Sequence, residues 1–310
     1  MSARAWALFA AVSVIWGMPY LFIKIAVDEI SPSLLAWSRL ALAAVVLLPL
    51  AWKLGALRGL RERWRILTLF AAVEMAVPWP LLGFGEVHIS SSLAAILVAT
   101  VPLFVALLAT RFDHSERPTV KRLVGMLIGL AGVVALVGID LGGQGDELLG
   151  ALAVLAVAFL YAIGPMIVKR RLSDVDPLGP VAASLGIAAL LVTPFALADL
   201  PTSMPSADTF ASIAVLGLLC SALAFLLFFR LIAEVGPGRA TVITYINPVV
   251  ALALGVIVLN ESVTTGVIAG LLLILAGSWL STDGRLPPGL ASLAQRVRGR
   301  AAARGSEAPS

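Results

Sequence analysis

Apolar runs long enough to cross a bilayer recur along the whole of this chain. They fall at about 5–27, 32–52, 65–85, 90–110, 120–139, 147–168, 178–198, 208–231, 238–259 and 264–281. A helix rises ~1.5 Å per residue, so ~20 apolar residues cover the ~30 Å hydrocarbon core. Lipid offers the backbone no hydrogen bonds, and a helix supplies its own. The pattern therefore predicts an all-α membrane protein with ten transmembrane helices. Charged residues are 13% of the chain, against ~25% in a soluble domain, which leaves too little polar surface for a water-exposed fold. The first run, Ala5 to Val27, outlasts the ~7–15 apolar residues of a signal peptide and reads as an uncleaved first helix. Two runs are marked by prolines: 178–198 holds Pro194, and 65–85 holds Glu74, Pro78 and Pro80.

Charge orders the gaps between runs. Lys53, Arg58, Arg61, Arg63 and Arg65 follow the second run, Arg111, Arg117, Lys121 and Arg122 the fourth, and Lys169, Arg170 and Arg171 the sixth. Arg230 and Arg239 flank the gap after the eighth. The opposite gaps hold Glu86, Asp140, Asp146, Glu147, Asp199, Asp208 and Glu261, with only Lys24 and Arg39 basic near that side. Counting Arg4 and the tail, this divides the 22 basic residues 20 to 2. Lys and Arg mark cytoplasmic loops, so both termini are expected in the cytoplasm, and an even helix count agrees by putting both on one side. The basic residues sit in loops and in the 283–310 tail, so the net charge of +4 reads as a topology signal rather than a nucleic-acid surface. The tail is expected to be a disordered, topology-fixing segment, with anionic headgroups as its alternative partner.

The two halves echo each other at an offset of 145, which puts Lys24 on Lys169, Pro32 on Pro177, Glu116 on Glu261 and Thr119 on Thr264. Gly125 and Gly132 fall on Gly270 and Gly277, and Trp16 on another aromatic, Tyr161. One residue of slippage places Pro102 on Pro248. Matched charges and prolines are hard to draw from an Ala/Leu/Gly-rich sequence by accident. They predict a duplicated five-helix unit, 1–145 and 146–282. Five is odd, so the second copy enters the bilayer from the opposite side, and the halves form inverted repeats. Secondary transporters commonly use this plan, with the solute held near the midplane between the repeats.

These features resemble the EamA-type unit of the drug/metabolite transporter superfamily. The resemblance rests on Trp16-Gly17 to Lys24, the Arg39 helix, HISSSLAAILVATVPLFVALLA at 88–109, and Glu116 followed by Gly125 and Gly132. The second half carries GRATVITYINPVVALALGVIVLNE at 238–261 with Gly270 and Gly277. The likeness covers about 5–282, and one departure is RFDHSERP at 111–118, where the family usually has a short Gly-Glu-Arg-type turn. The resemblance implies a multi-pass plasma (inner) membrane protein that transports small metabolites such as amino acids, often outward.

Several residues are candidates for the interior. Glu74 falls near mid-bilayer, where an ionised carboxylate costs ~2.5–3.5 kcal/mol. It reads as a proton-coupling or substrate-ammonium site, or else as a structural pair with Arg39 or a permanently protonated acid. Arg39 suits a substrate carboxylate by a bidentate contact, or a packing-level salt bridge. Lys24 reads first as a snorkelling anchor. Trp16, Tyr20, Trp79 and Tyr161 are candidate cavity aromatics. Pro19, Pro78, Pro80, Pro102, Pro165 and Pro248 are expected to interrupt their helices, with the repeat-matched Pro102 and Pro248 as hinges. Thr244, Tyr245 and Asn247 form a polar patch beside Pro248 and are expected to wall a substrate cavity opposite Thr100. Gly125, Gly129, Gly132, Gly266, Gly270 and Gly277 permit close helix contact, either between the halves or between two subunits of a homodimer.

Enzyme chemistry is not expected. Cys220 is the single cysteine, His88 and His114 are the only histidines, and no Walker loop or Gly-x-Ser-x-Gly elbow is present. No metal or other cofactor is therefore expected. The reading is a secondary transporter of small organic solutes. Its alternatives are a non-transporting membrane scaffold or sensor, and an intramembrane enzyme, for which Glu74 lacks a partner nucleophile.

Overall fold

A computed structural model of the protein describes residues 2–112, 119–140, 145–236 and 240–281. Glu116, Gly238, Arg239 and the 283–310 tail, all considered above, lie outside the described residues. Those residues form helices, with no strand among them. Seven helical stretches are long and apolar enough to cross a membrane, and Ile243–Leu259 and Thr265–Ser281 are shorter apolar helices.

The first run is two helices, α1 (Ala3–Gly17) and α2 (Pro19–Val27), which break at Met18 because Pro19 has no N–H to continue the ladder. Ser2 caps α1 by accepting from Ala5 N at 3.0 Å, and Ser31 caps α3 (Pro32–Lys53) by accepting from Leu34 N at 3.3 Å. The third run comprises α4 (Trp64–Ala71), a wide π-turn at Ala72–Ala76, and α5 (Pro78–His88). Pro78 and Pro80 withhold two donors, and Val77 N reaches back five residues to Ala72 O at 3.0 Å. The fourth run breaks at Ala99-Thr100 between α6 (Ser91–Val98) and α7 (Val101–Phe112), with Pro102 in the first turn of α7.

Next come α8 (Val120–Asp140), α9 (Gly145–Arg171) and α10 (Leu178–Ala198). Pro165 was expected to interrupt its helix, but α9 runs through it unbroken, as α10 does through Pro194. The eighth run is α11 (Ala207–Ala214), a second π-turn at Val215–Leu223, and α12 (Ala224–Val235). No proline explains this wide turn; instead the Ser221 hydroxyl donates to Leu216 O at 2.8 Å. The ninth begins as a tight 3-10 turn at Thr241–Tyr245 and continues as α13 (Asn247–Leu259), which Asn260 ends in the left-handed region at φ 54°. α14 is Thr265–Ser281.

α8 lies along α14, α3 along α10, α5 against α9, α1 against α12, and α6 against α13. The α8–α14 crossing explains the paired glycines. A Cβ on Gly125 would meet the backbone of Gly277 and Ser281, and a Cβ on Gly277 would meet the backbone of Gly125 and Gly129. Here the glycine faces pack against each other within one chain. Val45, Leu190, Phe195 and Ile257 stand exposed on the outer faces, as a lipid-facing surface requires.

Candidate functional site

The two π-turns aim polar groups inward. In the turn of Val215–Leu223, Ser221 is fully buried, and its hydroxyl accepts from Arg39 Nε at 2.9 Å while donating to Leu216 O. The Arg39 guanidinium stacks on the Trp79 ring at 3.8 Å from its centroid. Nε is the only Arg39 nitrogen with a hydrogen bond among the described residues, so the two Nη groups remain open as a fork. Tyr161, Cys220, Tyr20 and Glu86 lie within electrostatic reach of that charge.

The other π-turn presents Glu74. Its Oε2 is shut off from solvent and has no hydrogen-bond partner. Gly164 makes room for it, since a Cβ there would collide with the carboxylate. Tyr161, one helical turn away on α9, lies within electrostatic reach of Arg39, Glu74 and Trp79. Arg39 and Glu74 form no ion pair, so the salt bridge considered above is not formed; Arg63 pairs instead with Asp174 and Arg4 with Glu234. Tyr20, Arg39, Glu74, Trp79 and Tyr161 thus make one group with an unpartnered carboxylate oxygen and an open guanidinium edge.

The remaining candidates lie elsewhere. Trp16 packs on Phe225 and Phe228, at 5.8 and 4.7 Å between ring centroids. Asn247 ties α13 to α1, with its amide nitrogen donating to Ser13 O at 3.1 Å and to Ile243 O at 2.9 Å. Tyr245 donates to Ser278 O at 3.3 Å. Thr100 is buried, and its hydroxyl donates to Leu97 O at 2.6 Å, in its own helix turn. Thr244 is half-buried in the same 3-10 turn. Pro102 and Pro248 each sit in the first turn after a break. Among the described residues no three His, Cys, Asp or Glu side chains gather as a metal would require.

Two sequence readings need correction at the acidic end. Glu86 was assigned to a gap, yet it lies on α5 with 0% exposure, and neither carboxylate oxygen has a partner. Lys24 does not snorkel; its Nζ donates to the main-chain carbonyls of Glu86 (2.5 Å) and Ile89 (3.1 Å). Beside them Glu261 caps α6, accepting from Ser91 N at 2.8 Å and Ser92 N at 3.1 Å, and also from the Ser92 hydroxyl. Further out, Glu29 accepts from Ser206 N (2.6 Å) and the Thr209 hydroxyl (2.8 Å) at the start of α11. At the opposite end, Arg63 donates to Asp174 through both Nη groups at 2.6 and 2.5 Å. The Ser206 amide is the largest influence holding the Glu29 carboxyl below the usual range, and Arg63 does the same for Asp174.

A helical membrane protein with a charged, incompletely satisfied interior is the class these features define. Comparison with known proteins gives the family. The EamA-like transporter family model matches residues 4–138 and again 148–282, so the chain belongs to that family. It is 32% identical over 264 residues to the uncharacterized inner membrane transporter YedA of Escherichia coli, covering 80% of each chain. It is 29% identical over 263 residues to a probable terminal-alkyne amino-acid exporter of Streptantibioticus cattleyicolor, covering 84% of this chain and 87% of that one. YoaV, an uncharacterized transporter of Bacillus subtilis, is 26% identical over 279 residues, covering 88% and 94% respectively. One crystal structure shares the fold at TM-score 0.65 and 20% identity, over 91% of this chain and 97% of that one.

Proposed function

We propose that this chain is a secondary transporter that exports small organic, amino-acid-like metabolites across the plasma (inner) membrane by alternating access. On this reading it has ten transmembrane helices in two inverted repeats, 1–145 and 146–282, with both termini cytoplasmic. The contacts support the inversion. At an offset of 145 the α5–α9 contact has a counterpart in α12–α1, while α3–α10 and α8–α14 each pair an element with its own mate. The π-turns at Ala72–Ala76 and Val215–Leu223 overlap at the same offset. Glu29 and Asp174, also 145 apart, anchor the starts of the eighth and third runs from opposite ends. Two similar halves can exchange outward-open and inward-open shapes at similar energy.

The observation that carries the solute assignment is the pairing of Arg39, whose Nη groups are open, with Glu74, whose Oε2 is unpartnered, around Tyr161. A guanidinium fork fits a carboxylate and an unpaired carboxylate fits an ammonium, so the group is complementary to a zwitterion. The relative named as an amino-acid exporter supports the same class. The test is counterflow in proteoliposomes loaded with a mixture of proteinogenic L-amino acids and read by mass spectrometry. Wild-type protein should exchange at least one amino acid, and Arg39→Lys and Glu74→Gln should each weaken its apparent affinity about 10-fold or more, as loss of a charge-assisted hydrogen bond of about 1.5–3 kcal/mol requires. Equal affinity in both variants, with folded protein, would overturn the assignment.

A further inference from the structure

Glu86 is the most deeply enclosed acid among the described residues and has no assigned task. It is 0% exposed, and neither carboxylate oxygen accepts a hydrogen bond. An unpaired ionised carboxylate in that setting is among the most expensive groups a protein can bury, and the usual resolution is to take up a proton. Its surroundings hold the means to reverse that. Lys24 is close enough to interact with the Glu86 carboxylate, yet its Nζ is bonded to the main-chain carbonyls of Glu86 and Ile89. An ammonium group has three donors, and a small shift would turn one of them to the carboxylate.

The charged and titratable groups on the elements packed against α5 are few. α2 brings Lys24 and Tyr20, and α3 brings Arg39. Glu261 adds a like charge from beyond α13. The π-turn carries Glu74, α9 carries Tyr161 and, at its N-terminal end, Asp146 and Glu147, and His88 lies on α5 itself. α6 brings only serines, Ser91 and Ser92. Of the two cations nearby, Arg39 is held by Ser221 and Trp79. Lys24 is the cation with the larger influence on the Glu86 carboxylate, ahead of Arg39.

We propose that Glu86 is a proton-binding site at the outer end of the molecule, with Lys24 as its exchangeable counter-ion. With the proton on Glu86, Lys24 holds the Glu86 and Ile89 carbonyls, and Glu261 holds the start of α6, so the 86–92 turn is closed. Loss of the proton to the outer aqueous phase leaves a carboxylate that draws the Lys24 ammonium off those carbonyls and frees the turn. Only the Glu86 O–H bond forms or breaks, and water on the outer side supplies or accepts the proton. The turn joins α5, next to the Arg39–Glu74 group, to α6, so this step gives the proposed transport cycle a proton dependence. It rests on that reading for its purpose but not for its detection.

The test is infrared difference spectroscopy of the full-length protein in liposomes, with the bath stepped from mildly acidic to mildly alkaline and no solute present. Wild-type protein should show a protonated-carboxyl C=O band that disappears on the alkaline step, is missing in Glu86→Gln and is retained in Glu74→Gln. An identical band in Glu86→Gln would overturn the assignment. Lys24→Gln keeps an amide to donate to the two carbonyls but removes the counter-ion. Its band should persist into a more alkaline bath than in wild type, and an unmoved titration would overturn the role of Lys24 even if Glu86→Gln does not fold. If the transport reading alone is wrong, the band and both shifts remain and only the amino-acid counterflow is lost.

Discussion

Glu261 offers the most direct energetic test, because it closes α6 from a segment 169 residues further along the chain. Three donors converge on its carboxylate: the main-chain N–H groups of Ser91 and Ser92 and the Ser92 hydroxyl. Hydrogen bonds to a charged acceptor net about 1.5–3 kcal/mol each, and a negative charge at a helix N-terminus adds about 0.3–1 kcal/mol. The group is half-buried and the three bonds share one acceptor, so their sum overstates the loss. Glu261→Ala should therefore destabilise the protein by about 3 kcal/mol. Glu261→Gln should cost less, because it keeps one acceptor oxygen but turns an NH2 toward a main-chain donor. Unfolding free energies from steric trapping in bicelles, measured for Glu261→Ala, Ser92→Ala and the double variant, complete a double-mutant cycle. A coupling of about 1 kcal/mol is expected from the shared hydroxyl contact. Additive effects within ~0.3–0.5 kcal/mol, or a Glu261→Ala cost no larger than the ~0.5 kcal/mol of an ordinary surface change, would refute the capping role.

Gly277→Val should prevent α8 from seating on α14, because the new atoms meet the Gly125 and Gly129 backbone, which has no rotamer to escape into; a loss of about 1–3 kcal/mol or more is expected in the same assay. Ser221→Ala should leave the fold intact yet release Arg39 Nε, lowering apparent solute affinity in counterflow about 10-fold while leaving stability within ~1.5 kcal/mol of wild type. The Asp174 and Glu29 carboxyls are both held below their ordinary values, so their contributions are fully present above about pH 4, the unfolded-state range, and fade as pH falls through the lower folded-state values. Asp174→Asn should accordingly flatten the acid limb of a stability–pH profile and remove the salt dependence of the Arg63 contact, and an acid limb identical to wild type would count against it.

Much of this architecture is legible in the sequence because the bilayer imposes a length and a polarity on every span. The apolar runs, the matched glycines and the proline breaks at Pro19, Pro78, Pro102 and Pro248 all follow from backbone donors and helix contact. The sequence also brings Arg39, Glu74, Trp79, Tyr20 and Tyr161 forward as interior candidates, since charged and aromatic residues stand out in apolar helices. The Val215–Leu223 π-turn is not legible, because no proline marks it and the Ser221 hydroxyl that reaches Leu216 O looks like any other serine in an apolar run. Glu86 is misread for a related reason. Close to a run's end, a carboxylate looks solvated until tertiary packing shows that α9 lies against it through Gly85 and Gly150. Lys24 looks like a snorkelling cation because its acceptors are main-chain carbonyls, which carry no sequence signature.

Cys220 has so far figured only as a neighbour of Arg39. It is the sole thiol in the chain, and it lies in the same π-turn as Ser221 with 1% of its surface exposed. The protein therefore carries a built-in reporter that needs no engineered background. A small thiol reagent has one address, and it reaches that address only when the space around Arg39 opens to water. Charged reagents confined to one side of the membrane would time that opening from each face separately, so alkylation rate becomes a clock for conformational exchange in the unaltered molecule.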